Sequence, residues 1–160
     1  MFRTAVIGVG SAQGSDRLGW RVIERLQETG FDRRFAHGTV LLLTCRFPAQ
    51  LVNMLKECDH AVVIDAVRQP AGQLTEFSTQ DLVQTGDGCS SHGIGVGEAL
   101  ALAEELLPDP VPVGILGIGT GRQDDGAMPD VDALLPALQE RLTNAIQVFR
   151  HSRLTGNQLQ

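Results

Sequence analysis

Four short, continuous apolar runs set the main constraint on how this chain folds. They are Thr4-Ala5-Val6-Ile7-Gly8-Val9, Val40-Leu41-Leu42-Leu43, Ala61-Val62-Val63-Ile64-Asp65-Ala66 and Val111 to Ile118. Runs of this length that do not alternate with polar residues suit strands buried on both faces. The segments between them repeat at helical spacing. Leu18, Val22, Ile23 and Leu26 form one stripe, with Gly30 as its stop. Pro48 opens a second helix with Leu51, Val52 and Leu55 on its apolar face. Val96, Leu100, Ala103 and Leu107 mark a third, ended by Pro108 and Pro110, and Val131, Leu134, Leu135, Leu138, Leu142, Ile146 and Phe149 form the clearest stripe of all. Strands alternating with helices predict an α/β fold, a three-layer α/β/α sandwich around a mostly parallel, twisted sheet of about five strands.

The remaining segments are less regular. Pro70-Ala71-Gly72 marks a turn, and Gln73 to Phe77 alternates weakly, as an edge strand would. Ser78 to Gly95 and Gly119 to Pro129 read as polar loops, and Ser152 to Gln160 as a loose tail. The 160 residues suit a single domain over residues 1–150 followed by a flexible tail over residues 151–160.

The formal net charge of -6 argues against a nucleic-acid partner, whose phosphates need clustered Lys and Arg, and equally against an anionic membrane surface. Phe2 to Val9 is too short for a signal segment, and no apolar run approaches the roughly 20 residues that span a bilayer. Cys45, Cys58 and Cys89 are odd in number, widely spaced and form no C-x-x-C, so reduced thiols and a cytoplasmic location are expected.

Three polar residues each lie just past an apolar run: Asp16, Asp65 and His92. In open α/β sheets, ligands collect beyond the carboxyl ends of the strands. Asp16 lies in the glycine-rich turn after the first strand, Asp65 is last but one in the third, and His92 ends the long loop just before a helix. If the first and third strands are parallel neighbours, the two carboxylates share one edge. Together with an imidazole they suit nickel, zinc or iron, with positions left open for a water or a substrate carbonyl. Each residue also has a purely structural reading. Asp16 fits a helix N-cap, Asp65 a hydrogen-bonding role at a strand end, and His92 plain surface. His37, His60 and His151 fall at element edges and are expected to face solvent.

Taken in order, these segments resemble the hydrogenase maturation endopeptidases. The resemblance rests on Gly8-Val9-Gly10 after the first strand, Asp16-Arg17-Leu18-Gly19 entering the helix, and Val62-Val63-Ile64-Asp65-Ala66. It continues through Ser90-Ser91-His92-Gly93 before the helix from Glu98 to Leu107, and Gly117-Ile118-Gly119. It spans about residues 3 to 119 and implies a phosphorylase/hydrolase-like α/β fold. The implied activity is removal of a C-terminal extension from the large-subunit precursor of a nickel–iron hydrogenase after nickel insertion. Asp16, Asp65 and His92 would then contact nickel presented by the substrate, with no permanently bound metal. Three departures accompany the resemblance. Ser11 stands where the family usually has Asn. The Gly10–Gly19 turn is one residue short and keeps only one acid of a common pair. Arg46-Phe47-Pro48-Ala49-Gln50-Leu51 resembles a worn Gln-Leu-Thr-Pro-Glu-Leu.

Other readings compete. A dinucleotide-binding turn fails because Gln13 breaks G-x-G-x-x-G and the second strand ends Leu43-Thr44 with no ribose-binding acid. No Gly-Lys-Ser/Thr of a P-loop occurs. A cysteine hydrolase would use Cys45 as nucleophile and His92 as base, with Cys89 a further candidate ligand. A non-catalytic adaptor of the same fold would only bind the hydrogenase subunit, with Arg122, Asp124 and Asp125 as possible contacts.

Overall fold

A computed structural model describes residues 1–10, 17–84, 95–121 and 128–156. The elements run β1 (Thr4–Val9), α1 (Leu18–Glu28), β2 (Val40–Cys45), α2 (Leu51–Leu55), β3 (His60–Val67), β4 (Leu74–Phe77), α3 (Thr79–Gln84), α4 (Val96–Leu106), β5 (Val113–Gly119) and α5 (Val131–Gly156). The strands form one sheet in the order β2-β1-β3-β5-β4, parallel except for β4. The expected three-layer α/β/α architecture is the observed one.

Alternation along the strands feeds two cores. Val6, Val62, Ile64, Leu116 and Ile118 point toward α1 and α5, where they meet Leu18, Val22, Ile23 and Leu26 and the α5 stripe Leu135, Leu138, Leu142 and Ile146. Ala5, Ile7, Val9, Ala61, Val63 and Ile115 point the other way, toward Leu51 and Leu55 of α2 and Val96, Ala99, Leu100 and Ala103 of α4. Leu138, Leu142 and Ile146 are wholly buried, each contributing about 2 kcal/mol of transfer free energy. Gly30 ends α1 with φ +67, a conformation that favours glycine.

The fold departs from the sequence expectations at four places. The run Val40-Leu41-Leu42-Leu43 is not buried on both faces: β2 lies at the sheet edge, leaving Leu41, Leu42 and Leu43 half-buried. The segment from Ser78 is not all loop, because α3 forms at its start. There Ser78 and Asp81 exchange hydrogen bonds, each backbone N–H donating to the other side chain (2.9 and 3.2 Å). The C-terminal segment expected to be loose is helical as far as Gly156. Finally, His60 does not face solvent. It opens β3 on the α5 side, 8 % exposed, with its ring stacked on Phe149 (centroids 4.4 Å apart, planes at 8°) and Nδ1 3.2 Å from Thr4 Oγ1. Burial pushes its pKa down to about 4, so the imidazole is neutral at pH 7.

Candidate active site

The order of the strands creates the crevice. From β1 the chain passes along α1 on one face to β2, then along α2 on the opposite face to β3. β1 and β3 are parallel neighbours, paired from Thr4 with His60 to Gly8 with Ile64. Their carboxyl ends therefore border the topological switch point, where α/β sheets bind ligands.

Asp65 stands at that border. Alternation puts it on the same face as Ala61 and Val63, toward α2 and α4, and register puts it level with Val9 and opposite Gly117. It is half-buried, and its Oδ1 accepts the Ala66 N–H at 2.9 Å. Gly117 is small of necessity, because a β-carbon there would come within 2.7 Å of the Phe77 ring and 3.0 Å of the Val67 methyls. One row across the sheet therefore reads Cys45, Val9, Asp65, Gly117 and Thr75.

Cys45 closes β2 on the same rim, about two strand spacings, or ~10 Å, from Asp65. It is wholly buried, and its Sγ–H donates to the Phe47 carbonyl at 3.1 Å. Burial, with a further contribution from the Asp65 carboxylate, pushes the thiol up to about 11. A protonated, solvent-excluded thiol is a poor nucleophile, which weighs against the cysteine-hydrolase reading. Trp20 also belongs to this rim. Its indole Nε1–H donates to the Cys45 carbonyl at 2.9 Å, and the same carbonyl accepts the Gly10 N–H at 3.1 Å. The available signal was its place off the α1 apolar stripe, as the only tryptophan in the chain.

Asp16 and His92 lie outside the described residues, as do Ser11, Cys89, Arg122, Asp124 and Asp125. The segment that carries Asp16 leaves and rejoins the fold at this rim, and the one that carries His92 rejoins it there. Gly10 is bonded to Cys45 there, and Gly19 of α1 packs against the Val9 and Ile64 backbone. α4, preceded by Gly95 in extended conformation, runs antiparallel to the β5 it feeds and so starts at this rim too. Among the described residues no group of three His, Cys, Asp or Glu could hold a metal ion. Of the expected trio, that set contains Asp65 alone.

No protein-family model matches the sequence, and no curated protein matches it. Solved structures do. The NiFe hydrogenase maturation protease HycI from Thermococcus kodakarensis KOD1 superposes with a TM-score of 0.66 at 21% identity, covering 91% of this chain and 93% of that one. The hydrogenase maturating endopeptidase HybD from E. coli gives 0.66 at 16%, covering 91% and 92%. The fold is that of the hydrogenase maturation proteases. HybD from Thermococcus kodakarensis adds a third likeness, with a TM-score of 0.62 at 17% identity over 90% of this chain and 99% of that one. The hydrogenase maturation protease fold thus extends over nearly the whole chain. No helix among the described residues is long and apolar enough to cross a membrane.

Proposed function

We propose that this chain is an endopeptidase that removes the C-terminal extension of a nickel–iron hydrogenase large-subunit precursor after nickel insertion. The nickel arrives with the substrate and serves as the recognition element. Asp16, Asp65 and His92 are its contacts: two carboxylates and an imidazole suit a borderline divalent cation and leave positions open for the scissile carbonyl or a water. The observation that carries the reading is Asp65, a half-buried carboxylate at the β1/β3 switch point of a hydrogenase maturation protease fold.

Processing of a nickel-loaded precursor tests it. Wild type shortens the precursor, and Asp16→Asn, Asp65→Asn and His92→Ala each leave it full length while the variant stays folded. Wild-type rates in all three variants would refute the site. A precursor that stays intact with the wild-type chain bound to it would leave an adaptor in place of an enzyme.

A further inference from the structure

We propose that the rim bearing Asp65 is a docking surface for an acidic polypeptide segment carrying an apolar side chain, received by Arg17, Arg46 and Arg68 around the exposed ring of Phe47. The inference takes the identity of the partner, the large-subunit precursor, from the function proposed above.

Each of the first three parallel strands is followed at this rim by an arginine. Arg17 leads into α1 after β1, Arg46 follows Cys45 at the end of β2, and Arg68 follows Val67 at the end of β3. All three are exposed. β2, β1 and β3 are adjacent, so the exits of β2 and β3 lie about 10 Å apart. That exceeds the Debye length of ~8 Å at physiological ionic strength, so the fields of these charges add chiefly at low salt. Among the described residues the arginine ion pairs are Arg21–Glu24, Arg25–Glu28, Arg25–Asp132 and Arg141–Glu76, and none involves the three rim arginines. Their charge is not consumed in holding the fold together. Around the exits of β2, β1 and β3 the described charged residues are these three arginines and Asp65, a local excess of positive charge in a chain of formal net charge -6.

Phe47 supplies the apolar part. It is 56 % exposed, the one aromatic among the exposed large apolar side chains of the described residues. Its backbone is pinned. The Phe47 carbonyl accepts the Cys45 thiol and the Gln50 N–H (3.1 and 3.0 Å), and the Arg46 N–H donates to Gln50 Oε1 at 2.8 Å. Phe47 itself is extended ahead of Pro48, as a residue before proline prefers. A ring held outward on a fixed loop loses little freedom when a partner covers it. The overall negative charge disfavours a nucleic acid, whose long run of phosphates would meet repulsion beyond this rim.

The test follows association and dissociation of the nickel-loaded precursor with the full chain at low and high salt, with cleavage read in parallel. The variants are Arg46→Glu/Arg68→Glu, its neutral form Arg46→Gln/Arg68→Gln, Phe47→Ser, and Arg33→Glu/Arg34→Glu. The last makes the same change of net charge on exposed arginines at the opposite rim. The rim double reversal slows association about tenfold at low salt and flattens its salt dependence, with the neutral form in between. Phe47→Ser speeds dissociation and leaves association unchanged, and the far-rim control behaves as wild type. Failure of the wild-type chain to bind, unchanged kinetics in the rim variants, equal slowing in the control, or tighter binding of a mixed-sequence single-stranded DNA than of the precursor each overturns the proposal. Binding that follows this pattern without cleavage sinks the peptidase reading and keeps the surface. Cleavage with binding indifferent to the rim does the reverse.

Discussion

Gly8 of β1 and Gly19 of α1 meet backbone against backbone: a β-carbon on Gly8 would overlap the Gly19 carbonyl, and one on Gly19 would overlap that of Val9. The same added carbon on Gly19 would lie 3.1 Å from the carbonyl of Ile64, the residue before Asp65. The contact therefore sets the height of the first α1 turn above the two strands that flank the crevice.

Gly19→Ala must push α1 away from the sheet. Overpacking of this kind costs about 1–3 kcal/mol. Gly114→Ala is the matched control, since nothing lies within 4 Å of a β-carbon there. Thermal unfolding of the two variants reads the difference, with Gly19→Ala melting lower and Gly114→Ala close to wild type. Equal melting temperatures would mean that the helix seats more loosely than the contact implies.

His60 makes stability depend on pH. Its folded pKa is about 4, whereas an unfolded histidine titrates near 6.5, so between these values the unfolded chain binds more protons. The His60 contribution is complete above pH 6.5 and is lost as pH falls toward 4, by roughly 2 kcal/mol at pH 5. Urea unfolding at pH 7 and pH 5 measures it. In His60→Gln the loss between the two pH values shrinks by about that amount, and an undiminished loss would assign the acid sensitivity to other groups.

Cys45 reacts sluggishly in the native state. With its thiol at about 11, roughly one part in a thousand is thiolate at pH 8, and the sulfur is buried. Alkylation with iodoacetamide, mapped by mass spectrometry, labels Cys45 far faster in urea than in buffer. Cys45→Ala retains processing. A folded Cys45→Ala variant that failed to process would restore the thiol mechanism.

Asp65→Asn separates chemistry from folding. An amide oxygen still accepts the Ala66 N–H that now bonds to Oδ1, so the contribution of that bond, about 1 kcal/mol, is kept and the chain stays folded. Processing, by contrast, disappears. A parallel loss of stability large enough to unfold the chain would instead make Asp65 a structural residue.

Removing nickel from the precursor before mixing blocks cleavage, and adding nickel back restores it, if the metal is what the three side chains read. Gel analysis of the precursor before and after chelation decides the point. Efficient cleavage of the chelated form would remove the metal from recognition.

The sheet was readable because its strands are buried by both helical layers, which leaves uninterrupted apolar runs such as Ala61 to Ile64. The long helices were readable from stripes such as Leu135, Leu138, Leu142 and Ile146. What the sequence hid depends on partners distant along the chain. Nothing near His60 announces that Phe149, far along the chain in α5, covers its ring. Nothing in Leu41 to Leu43 shows that β2 ends up at the sheet edge, because strand order is a property of the whole assembly. The α3 turn is too short for an apolar period to reveal it, and the end of α5 carries no apolar stripe to follow past Phe149. At the candidate site, β1 and β3 pair in parallel, which puts the end of β1 and Asp65 on one rim. Trp20 is not legible in the sequence, because a single indole bonded to a distant carbonyl leaves no pattern there.

The length of α5 has a practical corollary. Its 26 residues extend about 39 Å, from Leu134 beside Gly72 to Phe149 against Phe2 and onward to Gly156. Strands of six to eight residues reach only about 20–27 Å. The closing turns thus stand clear of the sheet on the side away from Asp65, so a surface linker or fluorophore attached there leaves the crevice open to a bulky incoming protein.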